Sequence, residues 1–315
     1  MSRNLPLATI SIPTFNQEKY VGRAIESALA QTYPNLEVVV SDDGSTDRTF
    51  AIAQAYAGER VRIFKNERNL GRVGNYRHAL YALARGEWVA NLDGDDYYDD
   101  PDFIAAAIDR VTSNPGVVLC AAGYKVLHEP EGRLETAPTG LDQAETCMSG
   151  VDYVLGYPRL GLTQHLAIVY NRPLALETGF YLLDSLGTDT DSLCRLALKG
   201  KVYARRKPVG VWTHHDRNAS YSLSEETAGK EIAMLEHIAE ALAEHVPEPV
   251  WRQWLDQRVR EKKRLVDNLM LARLPPAAAW SYLWRHKGLS LFHLKEAIKL
   301  VLRSLGLRRA PLCAE

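Results

Sequence analysis

The first ninety residues alternate short apolar runs with amphipathic ones. Ala8-Thr9-Ile10-Ser11-Ile12-Pro13 has the two-residue period of a strand and is stopped by Pro13. From Tyr20 to Gln31 the period changes to that of a helix, with Val21, Ala24, Ile25, Ala28 and Leu29 on one face. Leu36 to Val40 predicts a second strand, and Ser45 or Thr46 is placed to cap a helix running to about Ala57. Val61 to Phe64, a helix after Gly74 reaching about Arg85, and a strand at 87–92 complete the series. Strands alternating with helices predict an α/β fold with a mostly parallel, doubly wound sheet flanked by helices. In such sheets ligands bind at the carboxyl ends of the strands. Pro13-Thr14-Phe15-Asn16, Asp42-Asp43-Gly44, Asn69-Leu70-Gly71 and Asp93-Gly94-Asp95 all fall there.

The second half is less regular. Residues 126–150 predict loops, and 161–170 predict a strand. Gly187-Thr188-Asp189-Thr190-Asp191 opens a helix that ends in Lys199-Gly200. Beyond Ser224 the pattern is helical throughout, over Glu231–His245, Trp251–Arg273 and Ser290–Leu305. In the last of these, Leu291, Leu294, Ile298, Val301, Leu302 and Leu305 share one face and Lys295, Lys299 and Arg303 line another. That is the pattern of an interfacial helix, or of one packing on an acidic neighbour.

The strongest chemical signal is Asn91-Leu92-Asp93-Gly94-Asp95-Asp96-Tyr97-Tyr98-Asp99-Asp100. In extended chain, alternate side chains share a face, which aligns Asp93 with Asp95. Gly94 between them lets backbone turn close to a ligand. Asp100 before Pro101 reads as a helix N-cap with proline at the first helical position, which also accounts for Asp99 and Asp102. Capping leaves Asp93, Asp95 and Asp96 unexplained. Carboxylates crowded at a strand end repel one another unless a cation sits among them, and Mn²⁺ or Mg²⁺ suits such hard oxygen ligands.

Composition limits the classes further. The chain has 315 residues, is 46% hydrophobic and carries a net charge of −1, as expected of a soluble globular protein with ample core. No apolar run reaches the ~18 residues of a membrane span, and residues 1–6 hold no signal-peptide core. Cys120, Cys147, Cys194 and Cys313 lack paired or metal-ligand spacing, as expected of reduced thiols in the cytoplasm. Residues 250–315 hold 14 Lys+Arg against 5 Asp+Glu, so an acidic body carries a basic C-terminal region. Nothing in the charge pattern calls for nucleic acid. The first turn has no glycine, which argues against a Gly-x-Gly-x-x-Gly dinucleotide site, and no P-loop is present.

Ile12-Pro13-Thr14-Phe15-Asn16-Gln17-Glu18, Ser27-Ala28-Leu29-Ala30-Gln31-Thr32, Val40-Ser41-Asp42-Asp43-Gly44-Ser45-Thr46-Asp47 and Gly86-Glu87-Trp88 with Asp93-Gly94-Asp95-Asp96 together resemble glycosyltransferase family 2. The likeness covers residues 6–125 strongly and 160–220 weakly. It implies a Rossmann-like GT-A fold over residues 1–224, with a nucleotide-sugar half at 1–125, an acceptor half at 126–224 and a separate helical, basic region at 225–315. It also implies a metal-dependent, inverting transferase that moves a sugar from a nucleotide-diphospho-sugar, UDP-linked by preference, to a glycan or lipid-linked glycan.

Carried residue by residue, the resemblance puts the nucleotide base against Pro13, Thr14 and Phe15, with Glu18 nearby. Asp43 accepts the ring N–H of uracil, which suits an ionised carboxylate because it can only accept. Arg68 and Arg72 are alternatives for the diphosphate. Asp93 and Asp96 serve the ribose and the ion. Asp95 is the first choice for direct metal contact, with Asp93 and Asp96 as alternatives and His215 completing the shell or touching phosphate. Asp191 matches the catalytic base, Thr190 stands where Glu is commoner, and Asp189 is the open alternative for the missing carboxylate. The expected location is the cytoplasm or the inner face of the cell membrane, with residues 288–315 touching anionic lipid, and a homo-oligomer is compatible with the pattern. The rivals are transfer to a polyprenyl phosphate, which needs no base, and a silent sugar-nucleotide-binding scaffold.

Overall fold

The computed structural model describes residues 5–216, 218 and 225–273. The helix expected over Ser290–Leu305, and with it the proposed membrane contact of 288–315, lies outside them. The chain begins as its pattern predicts. It runs β1 (Ala8–Thr14), α1 (Val21–Leu29), β2 (Leu36–Asp42), α2 (Thr49–Gln54), β3 (Val61–Lys65), α3 (Arg72–His78) and β4 (Trp88–Asn91). Strands β3, β2, β1 and β4 are parallel neighbours in that order. The side chains of β1, β2 and β4 are buried on both faces, those of the edge strand β3 only partly, and the inner face of α1 presses Val21, Ala24, Ile25 and Ala28 into the same core. At roughly 25 cal/mol per Å² of apolar surface removed from water, this burial is the main force holding the sheet to its helices.

After β4 the chain adds β5 (Tyr97–Tyr98), α4 (Phe103–Ser113), β6 (Val117–His128), β7 (Arg133–Thr136), β8 (Glu145–Ser149), α5 (Gly150–Gly156), β9 (Ile168–Asn171), α6 (Arg172–Glu177), α7 (Thr188–Ala197) and β10 (Lys201–His214). The sheet continues β4-β9-β6-β10-β5, with β7 beside β6 and β8 beside β10. Here β9 is antiparallel to both neighbours while β6 and β10 are parallel, so the second half is mixed. The stretch 126–150 is therefore not mainly loop. It was unreadable because β7 is exposed along its whole length and shows no apolar period. The strand expected over 161–170 is confined to Ile168–Asn171, preceded by a tight turn at His165–Ala167. Helix α4 starts at Phe103 with Asp102 as N-cap, two residues later than Pro101 suggests. Asp100 instead pairs with Lys207 at 2.8 Å.

Two long helices close the described chain, α8 (Glu225–Ala243) and α9 (Glu248–Arg273). They do not stand apart. Met234, Leu235, Ile238, Ala239 and Leu242 of α8 and Trp254 of α9 are buried in one cluster with Tyr153, Leu193, Leu196 and Val202. The Trp254 indole donates to the Val154 carbonyl at 3.0 Å. No helix among the described residues is long and apolar enough to cross a membrane.

Candidate active site

The carboxyl ends of β1, β2 and β4 meet in a cleft of ≈ 270 Å³. Its walls include Pro13, Thr14, Phe15, Asp43, Arg72 and Asp93. The loop after β1 is laced to the loop after β2. The amide of Asn16 donates to Ser45 Oγ at 2.9 Å, that of Gln17 to Thr49 Oγ1 at 2.7 Å, and that of Thr46 to Asn16 Oδ1 at 2.9 Å. Phe15 is left 44% exposed at the mouth of the cleft. Glu18 faces elsewhere. It accepts from the amide and guanidinium of Arg48 at 3.1 and 3.0 Å and does not line the cleft.

Asp43 is 2% exposed and oriented from two sides. Asn66 Nδ2 and the Leu70 amide both donate to its Oδ1 at 2.8 Å. Asn66 is steadied by Asn75 Oδ1, which also accepts from Ser41 Oγ. Among the described residues no hydrogen bond is made to Asp43 Oδ2, so a fixed acceptor remains available at the cleft. Arg72, the first residue of α3, donates to the carbonyls of Ser185 and Leu186 at 2.8 and 2.9 Å and packs over the Tyr76 ring. It therefore ties the first half of the chain to the segment that leads into α7.

The acidic cluster is assembled as the strand-end pattern predicts. Carboxylate oxygens of Asp93, Asp95 and Asp96 lie within 4.8 Å of one another. Tyr76 donates its hydroxyl to both oxygens of Asp93, at 2.7 and 2.8 Å. Asp96 is 2% exposed and accepts the Thr213 amide at 2.8 Å. Asp95 meets His215 Nε2 at 3.0 Å, and Arg23 holds the Asp95 carbonyl at 3.2 Å and Thr213 Oγ1 at 3.0 Å. His215 is stacked on Tyr20 with centroids 5.1 Å apart, and Tyr20 donates to Glu129 at 2.5 Å. A side chain at Gly94 would force Thr14 and Gln17 to shift, because its Cβ would lie 2.4 Å from Gln17 Oε1 and 2.6 Å from Thr14 Oγ1.

Burial and the Asp95 charge push the Asp93 carboxyl up to about 7, against the opposing pull of Tyr76 and Arg72. Burial and the charges of Asp95 and Asp93 raise Asp96 well above the usual carboxylate range. Two acids, Asp93 and Asp96, whose charged forms are so disfavoured without a counter-charge suit a divalent ion, and their oxygens with those of Asp95 and the His215 imidazole are a donor set that Mn²⁺ or Mg²⁺ accepts.

The two acids that open α7 have different fates. Asp191 is fully buried. Arg195, one turn on, pairs with its Oδ2 at 2.8 and 3.0 Å, and His237 Nδ1 of α8 lies 2.8 Å from its Oδ1. Arg195 itself also donates to the Thr178 and Gly179 carbonyls. Both oxygens of Asp191, expected as the base, are hydrogen-bonded in the core, where they fasten α7 to α8. Asp189 is partly exposed and lies close enough to Arg72 and Asp93 for their charges to act on it. Burial raises its carboxyl, while Arg72 and the backbone amides of Thr190 and Asp189 pull the other way.

Sequence reasoning passed over Tyr76, Arg23, Tyr20, Asn66 and Asn75, which hold the acids in place. None belongs to a motif, but Asn66, Asn75 and Tyr76 flank the Asn69-Leu70-Gly71 loop that had been singled out. For Asp191 a signal was present: an acid followed four residues later by arginine is an ion-pair spacing on a helix.

A mixed sheet whose parallel half ends in a nucleotide-sized cleft and a carboxylate cluster is the GT-A glycosyltransferase architecture. Staphylococcus aureus TarS 1–349 in complex with UDP-GlcNAc aligns with a TM-score of 0.65 over 96% of this chain and 81% of that one, at 18% identity. The mannosyltransferase PcManGT from Pyrobaculum calidifontis, in complex with GDP-Man and Mn²⁺, aligns with a TM-score of 0.53 over 96% and 87%, at 18% identity. Residues 9–160, just under half of the chain, match the model described as Glycosyl transferase family 2. Chondroitin synthase of Escherichia coli is 39% identical over 109 residues, 34% of this chain and 16% of that protein. The succinoglycan biosynthesis protein ExoO of Rhizobium meliloti is 42% identical over 106 residues, 34% of this chain and 30% of that protein. The match thus spans less than a third of either relative's length.

Proposed function

We propose that this protein transfers a sugar, with inversion, from a nucleotide-diphospho-sugar to an acceptor hydroxyl, with Asp189 as the base. The carrying observation is that one cleft is lined by an oriented acceptor (Asp43), Arg72 and two members of a carboxylate cluster suited to a metal (Asp93 and Asp95), with Asp189 within reach of the charges of Arg72 and Asp93. Asp43 Oδ2 selects a pyrimidine ring with an N–H, which favours uridine over cytidine. Phe15 and Pro13 cover the base. Asp95, Asp93 and Asp96 with His215 hold Mn²⁺ or Mg²⁺, which supplies charge neutralisation at the diphosphate. Arg72, fixed by two carbonyls, presents its positive charge on the same side. Asp189 takes the proton of the attacking hydroxyl, and its raised carboxyl suits that task better than a fully solvated acid does. The acceptor is a glycan or lipid-linked glycan.

Replacing the base while keeping its size tests the reading. Asp189→Asn lowers turnover by about 10²–10⁴-fold, the usual loss for a general base. UDP binding, followed by calorimetry with Mn²⁺ present, stays near wild type. Turnover within a few-fold of wild type removes Asp189 from the mechanism and favours an acceptor that is already an anion.

A further inference from the structure

We propose that Glu231 of α8, backed by Lys262 of α9, is a positioning residue for Asp189. This rests on the assignment of Asp189 as the base and concerns how the C-terminal helices serve it.

Glu231 is 2% exposed, and a carboxylate so deeply buried is costly unless both oxygens are used. Both are. Oε1 accepts the Gly187 amide at 3.0 Å, and Oε2 pairs with Lys262 Nζ at 2.9 Å. Gly187 is the N-cap of α7, so Asp189 is the second residue of the helix and Thr190 the third. In a capping box the third residue is Glu or Gln, whose side chain reaches back to the N-cap amide. Thr190 makes no such bond here; Glu231 makes it from another helix. The approach is close: a Cβ on Gly187 would meet Met234 Sδ at 2.6 Å and Glu231 Oε2 at 3.3 Å. The backbone two residues before Asp189 is therefore clamped between α8 and its own helix. His237 on Asp191 grips the same helix two residues beyond.

Glu231 also acts through its charge. Asp189 is surrounded by Arg72 and Tyr76 of α3, Asp93 after β4, Tyr153 of α5, Tyr157 just after it, Tyr181, Cys194 of α7, and Glu231. Arg72 is the cation that holds Asp189 down, and Glu231 is a like charge that lifts it. Through the Gly187 amide Glu231 thus fixes where the carboxylate sits, and its charge adds to the rise that burial chiefly causes.

Glu231→Gln keeps an oxygen for the Gly187 amide but removes the charge and leaves Lys262 unpaired. The carboxyl ¹³C titration of the full chain, with the Asp189 signal assigned by its loss in Asp189→Asn, reads the result without any sugar donor. The expected midpoint falls by about 0.5 pH unit or more, because a like charge has become neutral beside a free cation. Adding Lys262→Met to Glu231→Gln recovers part of the shift. A midpoint unchanged or raised in Glu231→Gln overturns the proposal. Glu231→Leu also loses the backbone bond. In hydrolysis of UDP-N-acetylglucosamine, or of the UDP- or GDP-sugar hydrolysed fastest in a panel, it lowers kcat by about tenfold or more while donor KM stays near wild type. Loss of kcat and donor affinity together would mark a general structural role and also overturn it. The titration does not depend on Asp189 being the base, so an active Asp189→Asn sinks the base assignment alone.

Discussion

At the residue scale the decisive comparison is Asp189 with Asp191. Two residues apart on a helix, they point about 200° from each other, so at most one of them faces the cleft. Sequence alone shows two acids opening a helix and does not say where the helix starts. The partners decide: Arg195 and His237 consume Asp191, while the charges of Arg72 and Asp93 reach Asp189. Asp191→Ala leaves the Arg195 charge buried without its carboxylate and costs about 3–5 kcal/mol in a urea melt. Its folded fraction still binds UDP. Unchanged stability would mean that the Asp191–Arg195–His237 network is not what holds α7. Asp43→Ala weakens UDP binding by about 1.5–3 kcal/mol, the value of a charge-assisted hydrogen bond, and the wild type binds CDP poorly. Equal affinity for UDP and CDP would refute the role of Oδ2.

At the scale of elements, β1, β2 and β4 were legible because short apolar runs alternate with a helical period, and their loops were marked by Asp, Asn and Gly. Strands β6 and β10 were not, because their pairing shifts register between Arg205 and Pro208 and again between Pro208 and Val211. A strand with such irregularities loses the two-residue period that reveals it. The loop after β4 illustrates how tightly the legible part is built. Gly94→Ala would push a methyl group into Thr14 and Gln17, and the expected loss in UDP affinity is about 1–3 kcal/mol by titration. The same loop carries the acids proposed to hold a metal ion. Asp93 binds its proton more tightly folded than unfolded, so its contribution destabilises the metal-free protein as pH rises from about 4 through about 7. A metal ion competes with that proton. A fixed Mn²⁺ concentration therefore raises the melting temperature more at about pH 8 than at about pH 6. A rise of the same size at both would show that Asp93 stays out of the ion's field.

For the whole molecule, the sequence divides at residue 224, where composition turns helical and then basic, yet the apolar packing ignores that boundary. Met234, Leu235, Ile238 and Leu242 are as buried as Leu193 and Leu196, which they cover. A chain ending at Ser224 uncovers this cluster, and its expected behaviour is aggregation with loss of the near-ultraviolet circular dichroism of the full protein. A soluble, nucleotide-binding fragment would show that α8 and α9 are dispensable. The periodicity of α8 was visible in the sequence, but not its partner, because an amphipathic face does not say what it packs on.

The stack of Tyr20 on His215 has a consequence for how the protein is made. Around the acidic loop, His215 reaches Asp95, Tyr20 reaches Glu129, and Thr213 reaches Asp96. These contacts join the start of α1, the end of β4, the end of β6 and the end of β10. Contacts between residues so distant in sequence form late and slowly, since the intervening chain must first be ordered. During synthesis strands β1 to β4, which form the cleft, emerge well before His215. A nascent chain can thus have its cleft in place while the acidic cluster still lacks its outer support. Competence for transfer arrives only once β10 has been laid against β6, which makes the site a report on completion of the fold.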